Sequence, residues 1–288
     1  MAQVTARIVI TGAGGQVGRC LAGVLTGQGR DLLALTSAQW DITDPAAGRD
    51  LLVAGDVVVN CAALTAVDIA EADESRAHAV NAVGAGHVAR ACAATGARLI
   101  HISTDYVFGG ADQVGEPRPF EVDDPPAPVS VYGRSKLAGE QQVHAAFPTA
   151  QVVRTAWVYT GTGADFVGTM RRLADERDTV DVVADQIGSP TYVADLVDAL
   201  LVLADDPDPQ PVWHIANTGP VSRYELARAV FAGIGADPDR VRPVTTAEHP
   251  RPAPRPGYSA LSTARYDADH TPMRSWQDAL AAALTALG

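Results

Sequence analysis

The stretch Arg7-Ile8-Val9-Ile10-Thr11-Gly12-Ala13-Gly14-Gly15-Gln16-Val17-Gly18 decides the fold. Three β-branched residues after Arg7 read as a short buried strand over residues 7–10, and Leu21 and Leu25 beyond the last glycine read as the apolar face of a helix. Glycines at 12, 15 and 18, set between a strand and a helix, let backbone N–H groups approach a pyrophosphate and place it at the positive end of the helix dipole. The same glycines also suit a tight turn that needs positive φ and binds nothing. A strand before, a helix after and a position at the N-terminus favour the nucleotide turn.

Working outward, runs of the same kind recur at residues 32–35, 57–60, 98–103 and 151–154, separated by longer helical segments. Near-continuous apolar runs suit strands buried on both faces of a parallel sheet with helices as crossovers, so the expected class is α/β, a Rossmann-like doubly wound sheet. Past residue 155 the rhythm loosens into helical stretches at 166–176, 193–204 and 223–234, with proline-bearing loops at 205–211 and 250–257. The expected organisation is a nucleotide-binding domain over 1–155, completed by about 191–216. A smaller, irregular α/β lobe follows over 156–190 and 217–262, with a C-terminal helix within 263–288. Leu280, Leu284 and Leu287 give that helix, read at 275–287, a core-facing stripe.

Composition narrows the function. The chain has 288 residues, a net charge of −12 and a pI near 4.9, a poor match for a phosphate backbone or an anionic membrane, so neither nucleic acid nor membrane is an expected partner. Asp56 and Asn60 interrupt the best apolar run, and residues 1–6 lead into a strand without a signal-peptide core. Cys20, Cys61 and Cys92 form no Cys-x-x-Cys pair, and the seven histidines show no His-x-x-x-His spacing. The expectation is a cytoplasmic protein with no catalytic metal.

The second strand ends in Thr36-Ser37, with Asp31 at its other end, so no carboxylate stands where an adenosine ribose is usually bound. A 2′-phosphate is therefore tolerated: NADP(H) is the expected cofactor and NAD(H) the alternative, with Arg19 available as a local positive charge. Asp41 and Ile42 suit the edge and face of an adenine, although Asp41 equally suits the cap of a helix beginning near Pro45.

Tyr132 and Lys136, at i and i+4, share one helix face, and an ammonium beside the phenol is expected to bring it nearer to neutrality and make it a proton donor. A lone Tyr-x-x-x-Lys is more often a core tyrosine and a surface lysine. Here Ser103-Thr104-Asp105-Tyr106 closes the fourth strand, whose carboxyl end faces the ligand crevice, and the Thr104 hydroxyl can hydrogen-bond a carbonyl oxygen there.

With these blocks in order, the chain resembles the extended short-chain dehydrogenase/reductase family and, within it, the dTDP-4-dehydrorhamnose reductases. The similarity runs through Asn60-Cys61-Ala62-Ala63, Thr65-Ala66-Val67-Asp68, Ser103-Thr104-Asp105-Tyr106-Val107-Phe108 and Tyr132-Gly133-Arg134-Ser135-Lys136-Leu137-Ala138-Gly139-Glu140. It continues through Arg154-Thr155-Ala156-Trp157-Val158-Tyr159, Asp185-Gln186-Ile187-Gly188-Ser189-Pro190-Thr191 and Arg255-Pro256-Gly257-Tyr258-Ser259-Ala260-Leu261. The resemblance implies a catalytic triad of Thr104, Tyr132 and Lys136. It implies a cofactor cleft of Gly12, Gly15, Gln16, Val17, Gly18, Asp41, Ile42, Ala62, Ala63 and Thr65, shared with Tyr132 and Lys136. It further implies that Asp105, Val107, Trp157 and Arg255 join Thr104 and Tyr132 in facing a nucleotide-sugar. Trp157 also suits a plain core position and Arg255 a solvated loop; an aromatic face for a deoxysugar and a bidentate donor for a diphosphate favour ligation.

The implied activity is NADPH-dependent reduction of the 4-keto group of dTDP-4-dehydro-L-rhamnose to dTDP-L-rhamnose, the last step of dTDP-rhamnose synthesis, which supplies cell-wall or surface polysaccharide. Alternatives are a reductase of another dTDP-4-ketosugar and a non-catalytic regulatory subunit of the methionine adenosyltransferase type. In relatives that dimerise through a carboxylate-bound metal an acidic residue stands where this chain has Cys20, so a monomer or weak homodimer is expected.

Overall fold

The computed structural model describes residues 6–109, 117–206 and 210–287; residues 1–5 of the expected first domain, part of the 205–211 loop and Gly288 lie outside them. Side chains that alternate along each central strand build two separate cores. Ile8 and Ile10 of β1 (Ile8–Thr11) join Val57 and Val59 of β3 (Val57–Asn60), Ile100 of β4 (Arg98–Thr104) and Val153 of β5 (Gln151–Thr155) on one face, against the helices Gln16–Gly27 and Val193–Asp205. Val9, Val58, Leu99 and Val152 point the other way, onto the helices Ala85–Thr95 and Val131–Ala146. This is period-two alternation inside a doubly covered sheet, which is why consecutive residues at the middle of these strands read as near-continuous apolar runs.

The sheet is wholly parallel, in the order Val212–His214, β5, β4, β3, β1, β2 (Leu32–Leu35). The chain leaves β1 for β2 on one side and returns to β3 on the other, so a crevice opens above the carboxyl ends of β1 and β3. β4 and β5 end on Thr104 and Thr155, and both hydroxyls reach that same edge.

A third core holds Val167, Met170, Val230, Phe231, Trp276 and Leu280, from the helices Phe166–Glu176, Arg223–Gly233 and Trp276–Thr285. The C-terminal segment is two helices, Ala264–Asp269 and Trp276–Thr285, the second capped by Ser275, whose hydroxyl accepts from the Asp278 N–H. Leu280 is buried and Leu284 packs beside it, whereas Leu287 borders an open groove. No helix begins near Pro45. Asp44 turns its carboxylate onto the Ala46 N–H at 2.8 Å, a local bond that competes with helix, and Gly48 lies against the Trp40 ring, so the segment stays a series of turns. Among the described residues no helix is long and apolar enough to cross a membrane.

Candidate active site

The nucleotide turn is closed by contact as well as by conformation. Gly12 has φ +63°, and a Cβ on Gly18 would lie 2.6 Å from the Gly12 carbonyl oxygen, so the turn can fold onto its own helix only with hydrogen there. Gly15 precedes the helix Gln16–Gly27 with no side chain capping it, which leaves the first N–H groups of the helix open to an anion. Arg19 donates to the Gly14 carbonyl at 2.6 Å at the rim.

Two adjoining hollows extend from this turn. One, of about 310 Å³, is lined by Gly12, Gly14, Gly15, Thr36, Ser37, Asp41, Ile42, Ala62 and Ala63. Asp41 holds its carboxylate against the Thr43 N–H and hydroxyl, at 2.9 and 2.8 Å, and stays at the surface, while Ile42 is buried behind it. The other, of about 290 Å³, is lined by Gly15, Gln16, Val17, Gly18, Ala63, Thr65, Thr104, Asp105, Tyr132, Lys136, Thr155 and Trp157. The buried Thr155 hydroxyl finds no partner among the described residues, a state that a bound polar molecule would relieve. An uncapped helix start, a turn without room for a Cβ and an orphaned hydroxyl together fit a dinucleotide.

The helix Val131–Ala146 starts at Ser130, whose hydroxyl accepts from the Gly133 N–H at 3.1 Å. Its buried stripe carries Tyr132, Lys136, Glu140 and Val143, a polar face that stays stable only because each polar group is partnered. Glu140 accepts from the Ser103 hydroxyl at 2.5 Å and takes a bidentate pair from Arg154 at 3.0 and 2.8 Å. Lys136 donates to the Ile102 carbonyl at 2.6 Å and lies 3.4 Å from the His101 ring.

Thr104 is the hydrogen-bonding partner of the Tyr132 phenol, and its own hydroxyl donates to Asp105 at 3.1 Å. Burial pushes the phenol above its ordinary value; the Thr104 hydroxyl opposes this, while Asp105 and Tyr106 add to it. The expected lowering of Tyr132 by Lys136 is corrected accordingly: the lysine turns its amine to Ile102 and His101, and burial brings it down to about 8. Burial also lifts Asp105 to about 6 against the hydrogen bonds of Ser259, at 2.5 Å, and Thr104 and the charge of Arg223.

Trp157 takes the left-handed conformation, φ +43°, a strained state for a large side chain. It is held there because the indole covers Gly188, whose Cβ would come within 2.5 Å of the ring, and because the Arg223 guanidinium lies 3.5 Å from the ring centroid. The indole thus walls both the cleft and a larger groove of about 840 Å³ that runs past Gln16, Arg19, Tyr192 and Leu287.

Two expected residues lie elsewhere. The Val107 side chain is fully buried with Phe108, Phe120 and Leu261 and lines neither hollow, because the short helical turn Asp105–Val107 rotates it inward. Arg255 also lines neither hollow: it is fixed by an ion pair with Asp68 at 2.6 Å and a hydrogen bond to Tyr106, whose ring packs edge-on against Tyr132 at 5.5 Å. It reaches the cleft through Tyr106.

Arg223, Ser259 and Thr155 escaped the sequence reading. Ser259 and Thr155 lie within blocks already quoted, but nothing in a single sequence marks which hydroxyl turns inward. A composition signal was present for Lys136, which is the only lysine among the 22 lysines and arginines of the chain. Among the described residues no cluster of His, Cys, Asp and Glu could hold a metal ion.

A parallel sheet with a glycine turn at its switch point, and a Tyr-x-x-x-Lys helix beside it, defines a short-chain dehydrogenase/reductase. More narrowly, residues 6–288 match the family model described as RmlD substrate binding domain, and the chain belongs to that family. A relative from Mycobacterium tuberculosis (strain CDC 1551 / Oshkosh), named dTDP-4-dehydrorhamnose reductase, is 62% identical over 288 residues, covering 99% of this chain and 95% of its own. A relative of the same name from Mycolicibacterium smegmatis is 58% identical over 283 residues, 98% of this chain and 86% of its own. Among solved structures, dTDP-4-dehydrorhamnose reductase from Bacillus anthracis in complex with NADP superposes with a TM-score of 0.91 at 37% identity, covering 98% of this chain and 99% of that one.

Proposed function

We propose that the chain reduces the 4-keto group of dTDP-4-dehydro-L-rhamnose to dTDP-L-rhamnose with NADPH. The observation that carries the reading is that Thr104, Tyr132 and Lys136 line the hollow that continues from the nucleotide turn, within a chain 58–62% identical to reductases of that name.

The backbone of Gly15, Gln16, Val17 and Gly18 would hold the pyrophosphate, Asp41, Ile42 and Ala62 the adenosine, and Ala63, Thr65 and Lys136 the nicotinamide half. A 2′-phosphate would meet the hydroxyls of Thr36 and Ser37 in a hollow where the Asp41 carboxylate is already turned onto the Thr43 N–H and hydroxyl. The bound cofactor supplies a hydride. Thr104 stabilises the oxygen of the keto group as negative charge grows on it. Tyr132 delivers a proton to that oxygen; its raised pKa keeps it a protonated donor at neutral pH, ready to protonate a strongly basic alkoxide. Trp157 offers an aromatic face to the sugar or base, and Asp105 accepts hydrogen bonds at the floor of the site. Segments 156–190 and 217–262 would supply the substrate side. The chain would act in the cytoplasm, as a monomer or weak homodimer without nucleic acid.

The test is to mix purified protein, NADPH and enzymatically made dTDP-4-dehydrorhamnose, follow the loss of reduced nicotinamide absorbance, and identify the product by NMR. dTDP-L-rhamnose is the expected product. No turnover of this sugar with turnover of a different dTDP-4-ketosugar would replace the substrate assignment.

A further inference from the structure

Among the described residues Trp157 alone, glycines apart, takes the left-handed conformation. The strain falls where β5 gives way to the second lobe, on a ring that lines both the catalytic hollow and the larger groove. One short ribbon holds that ring. Strand Val221–Ser222 pairs antiparallel with Ile187–Gly188, Gly188 seats the indole, and the chain after Ser222 starts the helix Arg223–Gly233. A capping box fixes that start: the Ser222 hydroxyl accepts from the Glu225 N–H at 3.0 Å, and the Glu225 carboxylate accepts from the Ser222 N–H at 3.1 Å. The Arg223 N–H donates to the Gln186 carbonyl at 3.1 Å, so the guanidinium leaves the ribbon beside the ring that Gly188 seats.

Charge alone would not place an arginine here. Arg223 is the first residue of its helix, where the dipole is positive and a cation is disfavoured. Among the described residues no carboxylate pairs with it: Asp105 acts on it by charge and is tied to Ser259 and Thr104. Its polar neighbour is the Tyr106 phenol, which it shares with the like charge of Arg255. What offsets these terms is aromatic: the guanidinium lies 3.5 Å from the Trp157 ring centroid and 5.0 Å from that of Phe166. Trp157 lines hollow and groove, whereas Arg223 lines the groove alone, so it backs the indole from the side away from Thr104 and Tyr132.

We propose that Arg223 is a positioning residue for the sugar substrate: stacked on Trp157, it holds the strained indole as a fixed wall of the cleft. The planar guanidinium does this by lying on the ring, a contact that a lysine does not reproduce. Without it the indole is free to leave its left-handed seat, and the cleft loses a preformed face for the sugar. Thr104, Tyr132 and Lys136 make no contact with Arg223 and keep their geometry. The substrate in this proposal rests on the reductase reading, but the state of the ring is measurable without one.

Steady-state kinetics with NADPH and dTDP-4-dehydrorhamnose separate this role from others. Arg223→Ala should raise KM for the sugar at least about fivefold, with kcat within about threefold and NADPH affinity within about twofold of the wild type. Arg223→Phe, which keeps a plane against the indole without charge, should bring KM back to within about twofold. Arg223→Lys, which keeps the charge without the plane, should not. An unchanged KM in Arg223→Ala, equal losses of sugar and NADPH binding, or rescue by lysine and not by phenylalanine would overturn the proposal, the last by assigning Arg223 to a substrate anion directly. The ring itself is read by 19F NMR of protein labelled with 5-fluorotryptophan and free of cofactor and sugar, the Trp157 line being the one lost in Trp157→Phe. That line should be single in the wild type and broadened or split in Arg223→Ala and Arg223→Lys, as the indole samples a second position. A line unchanged in both would overturn the proposal whatever the substrate is. If Arg223→Ala does not fold, Arg223→Lys decides both measurements.

Discussion

Replacing Asp105 with asparagine should stabilise the protein at neutral pH while lowering its acid stability by about 1 kcal/mol. Burial raises this carboxyl from 3.8 to about 6. Ionisation therefore opposes folding: the penalty is absent below the ordinary pKa and complete above the folded one, so stability is lost as pH rises from about 4 to about 6. At about 1.4 kcal/mol for each pH unit between the two values, the carboxylate costs about 3 kcal/mol at pH 7. An amide removes that charge but turns one acceptor into a donor, so the Ser259 or Thr104 hydroxyl must reverse its bond, at a cost of about 1 kcal/mol. The net gain is about 2 kcal/mol, or a rise in Tm of about 3 °C at pH 7.5 for a chain of 288 residues. Thermal unfolding followed by circular dichroism from pH 4 to pH 8 measures it. A variant destabilised equally across that range would refute the reasoning, because it would mean that the Asp105 charge is not strained in the fold.

Three further outcomes follow from the packing. Glu140→Ala leaves the Arg154 guanidinium buried without its carboxylate and should lower stability by about 3–5 kcal/mol in urea unfolding, whereas the double variant Glu140→Leu/Arg154→Met should recover most of the loss. A double variant as unstable as the single one would reject the unpaired-charge explanation. Gly18→Ala drives a methyl group into the Gly12 carbonyl and should weaken NADPH binding at least about tenfold by fluorescence titration. Gly23→Ala, on the same helix with nothing within 4 Å, should bind normally and gain about 0.5–1 kcal/mol in stability.

The strands were legible because both faces of the sheet are covered, which turns 8–10 and 57–59 into runs that no polar residue interrupts. The Tyr132 and Lys136 pair was legible because helix geometry alone puts i and i+4 on one face. Contacts set by tertiary approach were not. Arg223 reaches Trp157 from 66 positions away, and the seat of the indole at Gly188 looks in sequence like an ordinary loop glycine. Val107 looked like a cleft residue through its motif, and only the turn after Thr104 shows its side chain directed inward. The Lys136 and Tyr132 coupling failed for a physical reason: proximity in a helix does not aim an amine, and here a carbonyl and an imidazole aim it elsewhere.

The most direct test of the central claim, that one cleft joins a dinucleotide to a phenolic proton donor, is Tyr132→Phe measured for both NADPH affinity and ketosugar turnover. The phenyl ring keeps the packing against Tyr106, so affinity should stay within about twofold, while turnover should fall by about 10²–10⁴. Undiminished turnover would contradict the account.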